Sequence, residues 1–594
     1  MELKIPNQQS PILKQTNRSN VLGDIVDSFN LDLTSNLGKV KITKSLLSKK
    51  ATGYAVTDFG STQSLGVGGF ATLSNSIYMI SGQNIWVGGN SPLDSVVIDA
   101  QASTPTVTLQ TGDIKNFNSK LYVTNGNNIF SSSGSGWSNI YSYSNSSTSL
   151  LCVHKNYLYF TFDGYKIGRL STADSPTVSG AGSVDLAMPG FTISFLISDG
   201  DSLWFGLVNS SGGYDEKTYI YRWDGSNTDV NNKYLVESRG VLSGCLVNGV
   251  PYSIDSNGRL LAFNGSFFKE VAKLPLKPSE YLFSIGTTHE RGVHPNGMMY
   301  DPINDEVLVN ISNVKSFTAN VPTFYKFAGG VWSYKPETGL ILKYSPSLQP
   351  IADSGETNLT DFGQYNIVFP GAITSIGLRP TEKGRVLFGS VIYNRTTGDY
   401  TSTSIVVLCS DDTADTSQKY GYFTTTEIHS SKINESWKSI SALYKKLITS
   451  TDKIILKYRT RIDVPLDVNI TWADINILTT TTDVSSYVIG DEIQCLQGSG
   501  SGKSFHIQSI SESGGTYTII LDDSMPSGVI GLTGVVRFSK WKKLGEVTYT
   551  DEQQYKTFTP KEQNVSPMIQ VKSCFQFTGE NEADALFIKS ENNI

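Results

Sequence analysis

Apolar and polar positions alternate with a period of two over short runs, and the runs come in pairs. In Lys120-Leu121-Tyr122-Val123-Thr124-Asn125-Gly126-Asn127-Asn128-Ile129-Phe130 two such runs flank Asn-Gly. Gly and Asn accept the positive φ of a primed turn, so this spacing predicts a β-hairpin. Similar pairs stand at Ile77-Tyr78-Met79-Ile80 with Ile85-Trp86-Val87, at Tyr157-Leu158-Tyr159-Phe160 with Lys166-Ile167, and at Leu203-Trp204-Phe205 with Tyr219-Ile220-Tyr221-Arg222-Trp223. Another joins Val250-Pro251-Tyr252-Ser253-Ile254 to Leu260-Leu261-Ala262-Phe263. Two looser copies pair Glu306-Val307-Leu308-Val309 with Val331-Trp332-Ser333-Tyr334, and Arg385-Val386-Leu387-Phe388 with Ile405-Val406-Val407-Leu408. A hairpin unit repeated in this way from Gly66 to Cys409 predicts a β-propeller of about seven blades.

The flanks read differently. Residues 1–50 form an N-terminal arm and hairpin, with Phe29, Leu31 and Leu33 facing one way before the strand Lys39-Val40-Lys41-Ile42-Thr43. The propeller occupies 51–412. Strands near Tyr422, Trp437, Ile455, Val571 and Phe587 predict a β-sandwich in two parts, 413–482 and 541–594. Between them, 483–540 holds short strands separated by Gly/Ser turns and reads as an inserted small β-barrel. The expected fold class is thus all-β: a propeller of about seven blades, then a sandwich interrupted by a barrel.

Composition agrees with many short strands and tight turns. The 594 residues are 39 % hydrophobic and 11 % aromatic, with 54 Gly. Charged residues make up 17 %, below the usual quarter or so, so the surface is largely polar and uncharged. The net charge of −6 is spread without blocks, which argues against a nucleic-acid footprint. The five cysteines, Cys152, Cys245, Cys409, Cys495 and Cys574, are far apart and have no metal-type spacing. They read as core residues rather than a disulfide framework. Met1 to Asn7 has no apolar stretch of signal-peptide length, and no run reaches the length of a membrane span. The expectation is synthesis in the cytoplasm without a cleaved signal and no membrane span.

Candidate chemistry is thin. Gly498-Ser499-Gly500-Ser501-Gly502-Lys503-Ser504 looks like the end of a phosphate-binding loop. Gln497 stands where the first Gly belongs, and a strand-like pattern follows where a helix is needed. A flexible hairpin loop explains the same residues. His289 and His294 lack the HExxH spacing, and Asp24, Asp27 and Asp32 read as turn and solvent-face residues. Asp301 and Asp305 read as hairpin acids rather than the paired carboxylates of a glycosidase. Ser133-Gly134-Ser135-Gly136-Trp137 resembles the tail of an Asp-box but lacks the Asp. Tyr78, Tyr122, Tyr159, Trp204 and Tyr252 suit packing between blades, with a sugar-stacking platform as the competing reading. No catalytic, cofactor-binding or metal-binding residue is assigned, no cofactor is expected, and the chain is expected not to be an enzyme.

The layout resembles the structural proteins of bacteriophage tails. The residues that carry the resemblance are Asn30-Leu31-Asp32-Leu33-Thr34-Ser35 with Leu37-Gly38-Lys39-Val40 in the arm. The embedded Gly490-Asp491-Glu492-Ile493, Gly498 to Gly502 and Gly515-Thr516-Tyr517-Thr518 are similar to small barrel insertions in such proteins. The resemblance implies a virion component of nozzle, hub or collar type that forms a ring or platform and takes part in DNA ejection. Its partners would be other copies of itself and neighbouring virion tail proteins, with passive contact with exiting DNA. The arm strand at Phe29 to Leu33 would then add to a neighbouring subunit's sheet. The alternative is a glycan-binding or glycan-cleaving propeller that recognises a host surface.

Overall fold

The structure is a computed structural model. It describes the long stretches 112–125, 150–209, 217–274, 292–311, 330–349, 446–460, 465–497, 504–525 and 527–551, and elsewhere the strands named below with short adjoining turns. The described residues are nearly all β; their helical element is a single 3-10 turn, Ser527–Val529.

A short alternating run cannot bury its apolar face alone, so each pairs with its sequence neighbours. The result is a succession of antiparallel up-and-down sheets. They run from Val67–Leu73 to Ile98–Ala102, Ile114–Phe117 to Ser138–Ser142, Leu151–His154 to Pro176–Thr177, Phe191–Ser198 to Asn232–Val236, and Val241–Val247 to Phe268–Lys273. An eight-stranded sheet follows. One half runs from Met298–Asp301 to Gly339–Gln349 and the other from Phe369–Leu378 to Ile405–Ser410, with Ser347 opposite Pro370 at the join. The N-terminal strand Lys44–Lys49 completes the second half, antiparallel to Ile405–Ser410. The first strands touch one another in order, and Phe369–Leu378 comes back against Val67–Leu73. This is β-propeller character: small meander sheets arranged around an axis.

The paired runs singled out in the sequence are the second and third strands of these sheets. Lys120–Asn125 and Asn128–Ser132 are one case; Tyr157–Phe162 and Lys166–Leu170 are another. Between sheets lie apolar layers. Tyr122, Ile129, Leu151, Leu158, Phe160 and Leu170 form one, and Tyr159, Ile167, Leu203, Phe205 and Trp223 part of the next. The insertion at 312–328 contributes a separate hairpin, Val314–Thr318 with Val321–Phe324.

Two further sheets make up the C-terminal part. In one, Gln418–Thr425, Met568–Thr578, Lys453–Arg459 and Thr533–Thr548 pair in that order, and N-terminal Ile25–Phe29 adds to Gln418–Thr425. In the other, Glu582–Asn592 pairs with Glu435–Tyr444, Val40–Ile42 and Glu2–Ile5. The arm strands Glu2–Ile5, Ile25–Phe29, Val40–Ile42 and Lys44–Lys49 are therefore all paired within their own chain. The expectation that Phe29 to Leu33 waits for a neighbouring subunit meets a strand already in use, since Phe29 lies opposite Tyr422 and Leu31 opposite Ile42.

A six-stranded barrel grows from the first of these sheets. Thr533–Thr548, Leu466–Asp474, Ile477–Thr480, Thr516–Leu521, Ser504–Ser513 and Asp491–Gln497 pair in sequence, and the last returns to Thr533–Thr548. Its interior holds Val468, Trp472, Ile493, Phe505, Ile519 and Phe538. It takes in two strands that precede residue 483. A single strand also carries both the end of the expected barrel and the expected return of the sandwich at Trp541. No Gly, Pro, Asn or Asp interrupts the run from Val535 to Leu544, so the chain has no reason to break at Trp541.

Candidate functional site

The first strands enclose a cavity of about 540 Å³ on the axis. Its walls are mainly apolar, with Leu150, Phe195, Leu246 and Met298 among them. Glycine lets the walls approach. A Cβ on Gly244 would stand 2.7 Å from the Phe195 ring, and one on Gly377 would stand 2.8 Å from Phe70. Either would displace an aromatic ring that spans the seam between two sheets.

One end of the cavity is crossed by a polar knot. Asn296 reaches from the turn before Met298–Asp301 across the axis. Its Nδ2 donates to Gly68 O at 2.7 Å and to Asp113 Oδ1 at 3.0 Å, while its own carbonyl accepts from Ile376 N at 3.0 Å. Asp113, 2 % exposed, also accepts from Ile114 N at 2.8 Å and Leu151 N at 2.9 Å. Ser243 Oγ donates to Pro295 O at 2.7 Å, Ser194 Oγ to Val241 O, and Asn310 Nδ2 to Ser375 O at 3.1 Å. Buried polar groups need such partners, and most of these bonds cross from one sheet, or one half of the eight-stranded sheet, to another. The polar residues at this end act as struts.

The opposite end lies where the first strands turn into the second, at Val153, Ser198, Leu246 and Pro302. A Ser–His pair stands there: His154 Nδ1 is 2.7 Å from Ser198 Oγ. The other ring nitrogen faces the Asp224 carbonyl at 3.4 Å, and Gly200 N donates to the same Oγ at 3.2 Å. Burial lowers the pKa of His154, so the ring is neutral near pH 7. The pair joins the ends of two first strands. Cys152 and Cys245 line the cavity as free thiols, and burial pushes both up to about 12, which removes thiolate chemistry near neutral pH.

A second polar concentration lies where the barrel meets its parent sheet. Lys457 and Lys572, 0 % and 3 % exposed, converge on Glu492, 1 % exposed. Lys457 Nζ lies 2.9 Å from Glu492 Oε2, a close ion pair rather than an aligned hydrogen bond, and Lys572 Nζ lies 2.5 Å from Oε1. Burial alone would raise the Glu492 carboxyl, but the two ammonium groups outweigh it and hold the pKa at about 2. Beside them His506 Nδ1 is 3.0 Å from Asp522 Oδ2, and burial holds that imidazole below its ordinary pKa. The cluster ties a barrel strand to two strands of the sheet.

The residues weighed in the sequence fall out as follows. Asp301 caps its own turn, accepting from Ile303 N at 2.9 Å and Asn304 Nδ2 at 2.6 Å, and Asp305 accepts from Tyr300 OH at 2.7 Å. Tyr122, Tyr159 and Trp204 are buried. Tyr122 OH donates to Asp174 and Tyr159 OH to Gly225 O at 2.6 Å, each partner belonging to the next sheet. Trp204 packs 4.9 Å from Phe263 of the following sheet. These rings are inter-sheet packing, so they offer no stacking platform. The Gly/Ser loop at 498–503 lies outside the described residues, but the strand Ser504–Ser513 follows it where a phosphate loop requires a helix. His289 and Asp24 lie outside the described residues, as do the side chains of Asp27 and Asp32. No group of three or more His, Cys, Asp or Glu suited to a metal occurs among the described residues, and no helix there is long and apolar enough to cross a membrane. Sequence reasoning missed Asn296, Asp113 and the Lys457–Glu492–Lys572 cluster. The only signal for the last was charge on otherwise apolar strands.

No family model matches the chain, and no curated protein matches it. Among solved structures, BBS1N in complex with ARL6DN is 11 % identical, with 62 % of this chain and 97 % of that one covered and a TM-score of 0.33. BamB from Moraxella catarrhalis is 12 % identical, with 64 % and 90 % covered and a TM-score of 0.29. The WD40 beta propeller domain of Doa1 is 11 % identical, with 48 % and 92 % covered and a TM-score of 0.30. At these scores the likeness bears on neither fold nor function; the propeller character rests on the chain's own sheets.

Proposed function

We propose that the chain is a structural component of a bacteriophage virion tail, a nozzle, hub or collar that builds a ring or platform by protein–protein contacts. In this reading the body is a seven-bladed propeller, with a β-sandwich that carries the barrel. The observation that carries the proposal is the path of the N-terminal segment. Within its first 49 residues it adds strands to both C-terminal sheets and to the last propeller sheet. A segment threaded through every part suits a load-bearing scaffold. It leaves the loops and outer edges to make contacts.

The axial cavity constrains how DNA would meet such a protein. A space of about 540 Å³, crossed at one end by the Asn296–Asp113 bond, does not pass a duplex whose major groove alone is about 12 Å wide. Exiting DNA would pass through an opening between copies, touching outer surfaces. Electron microscopy of the purified full-length protein tests the proposal. Rings of several copies around a duplex-wide opening are the expected outcome. A chain that remains monomeric at high concentration and is missing from purified particles would sink it.

A further inference from the structure

We propose that the axial cavity binds a small single-chain carboxylate amphiphile, its head on Lys115 Nζ and its body against Leu150, Phe195 and Met298. The volume, about 540 Å³, falls in the range of small-molecule sites. The Asn296–Asp113 bond crosses one end of the cavity, so a ligand would enter from the other, marked by Val153 and Pro302. Beside the Ser198–His154 pair, that end exposes apolar side chains: Val153 is 39 % exposed, and Ile303, next to Pro302, is 52 % exposed.

Charge selects the head group. Asp113 and Lys115 are the charged residues among those lining the space. Asp113 is already satisfied, since Ile114 N, Leu151 N and Asn296 Nδ2 all donate to it. Lys115 is not. Among the described residues its ammonium has one partner, Asp113 Oδ1 at 3.2 Å, and its side chain is 32 % exposed. An ammonium carries three donors, so two remain for a ligand. Asp113, sharing its charge over three other donors, neutralises Lys115 incompletely. A carboxylate would take the spare donors as charge-assisted bonds, while an alkyl chain would cover apolar wall and leave water. A cationic head would face Lys115, and a neutral one would gain less from it.

Isothermal titration of the full-length protein with decanoate, methyl decanoate and decyltrimethylammonium tests this. Decanoate is expected to bind one per chain and at least tenfold more tightly than either of the others. Lys115→Gln is expected to weaken decanoate tenfold or more while leaving methyl decanoate unchanged. Met298→Trp, which fills the space, is expected to abolish binding of all three. If decanoate fails to bind at one per chain, or if the three probes bind the unmodified protein equally, the proposal is overturned. The probe comparison decides even if the Lys115 variant does not fold. Ring formation does not enter the readout, so this result stands apart from the scaffold reading.

Discussion

Glu492 holds two buried lysines, and its removal shows what a partnered charge does when stranded. Glu492→Gln leaves Lys457 and Lys572 facing an amide, and a broken buried pair of this kind costs about 3–5 kcal/mol. Replacing all three together, Lys457→Met, Glu492→Leu and Lys572→Met, is expected to recover most of that, because apolar packing avoids the desolvation of ions. Urea unfolding at pH 7 measures both. The acid limb follows from the same group. The Glu492 pKa is lower folded than unfolded, so its contribution is present above about 4.5 and is lost as pH falls towards 2. The slope of stability against pH between 4.5 and 2 should therefore be shallower in Glu492→Gln than in the unmodified protein. None of this was legible in the sequence. Lys453-Ile454-Ile455-Leu456-Lys457-Tyr458-Arg459 reads as a strand with a charge on its wet face. Only the return of the barrel strand Asp491–Gln497 against Thr533–Thr548 brings a carboxylate over Lys457. By contrast Tyr122 and Tyr159 could be assigned to packing from sequence alone, since a large aromatic on an alternating strand has little else to do.

Among the elements, the second and third strands of each sheet could be read and the first strands mostly could not. The former are joined by local turns with recognisable residues, and both alternate clearly. Two of the first strands, Ile114–Phe117 and Leu151–His154, have only four residues, too few to display an alternation. Asn118 and Ser119 both take positive φ, 49° and 60°, although neither is Gly. The cavity therefore stayed invisible, because it is built from exactly those strands that local pattern does not mark. Asn296 is the joint that holds them. Asn296→Ala removes the bonds to Gly68 O and Asp113 Oδ1 and leaves a buried carboxylate short of a donor, at a cost of about 1–3 kcal/mol. Asn296→Asp places a second carboxylate about 3 Å from Asp113. Like charges so close raise the pKa of the pair in the folded state, so this variant is expected to lose more stability at pH 7 than at pH 4. Thermal unfolding at the two pH values checks the sign: an Asp variant equally stable, relative to the parent, at both would mean that the knot is not closed.

At the scale of the whole molecule, the fold class was readable from the repeat, but the way its parts are joined was not. Strand Lys44–Lys49 joins a sheet whose other members lie beyond residue 297, and Ile25–Phe29 and Glu2–Ile5 pair with strands beyond residue 417. No local pattern encodes a pairing across that distance. A loop of that length closes at an entropic cost that rises only slowly with its size, so the contacts themselves must hold it. Removing residues 1–50 should then do more than free an arm. It uncovers the edge of Ile405–Ser410 and of Gln418–Thr425, and exposed edges of this kind pair with other chains. The truncated protein is expected to melt several degrees lower and to aggregate, rather than remain a stable monomer that fails only to assemble. Adding a peptide of residues 40–50 should restore part of the lost melting temperature, because Lys44–Lys49 needs no covalent link to pair with Leu408, Cys409 and Ser410. A truncated chain with an unchanged melting curve would show that the segment is peripheral, and the scaffold argument built on its path would fall with it.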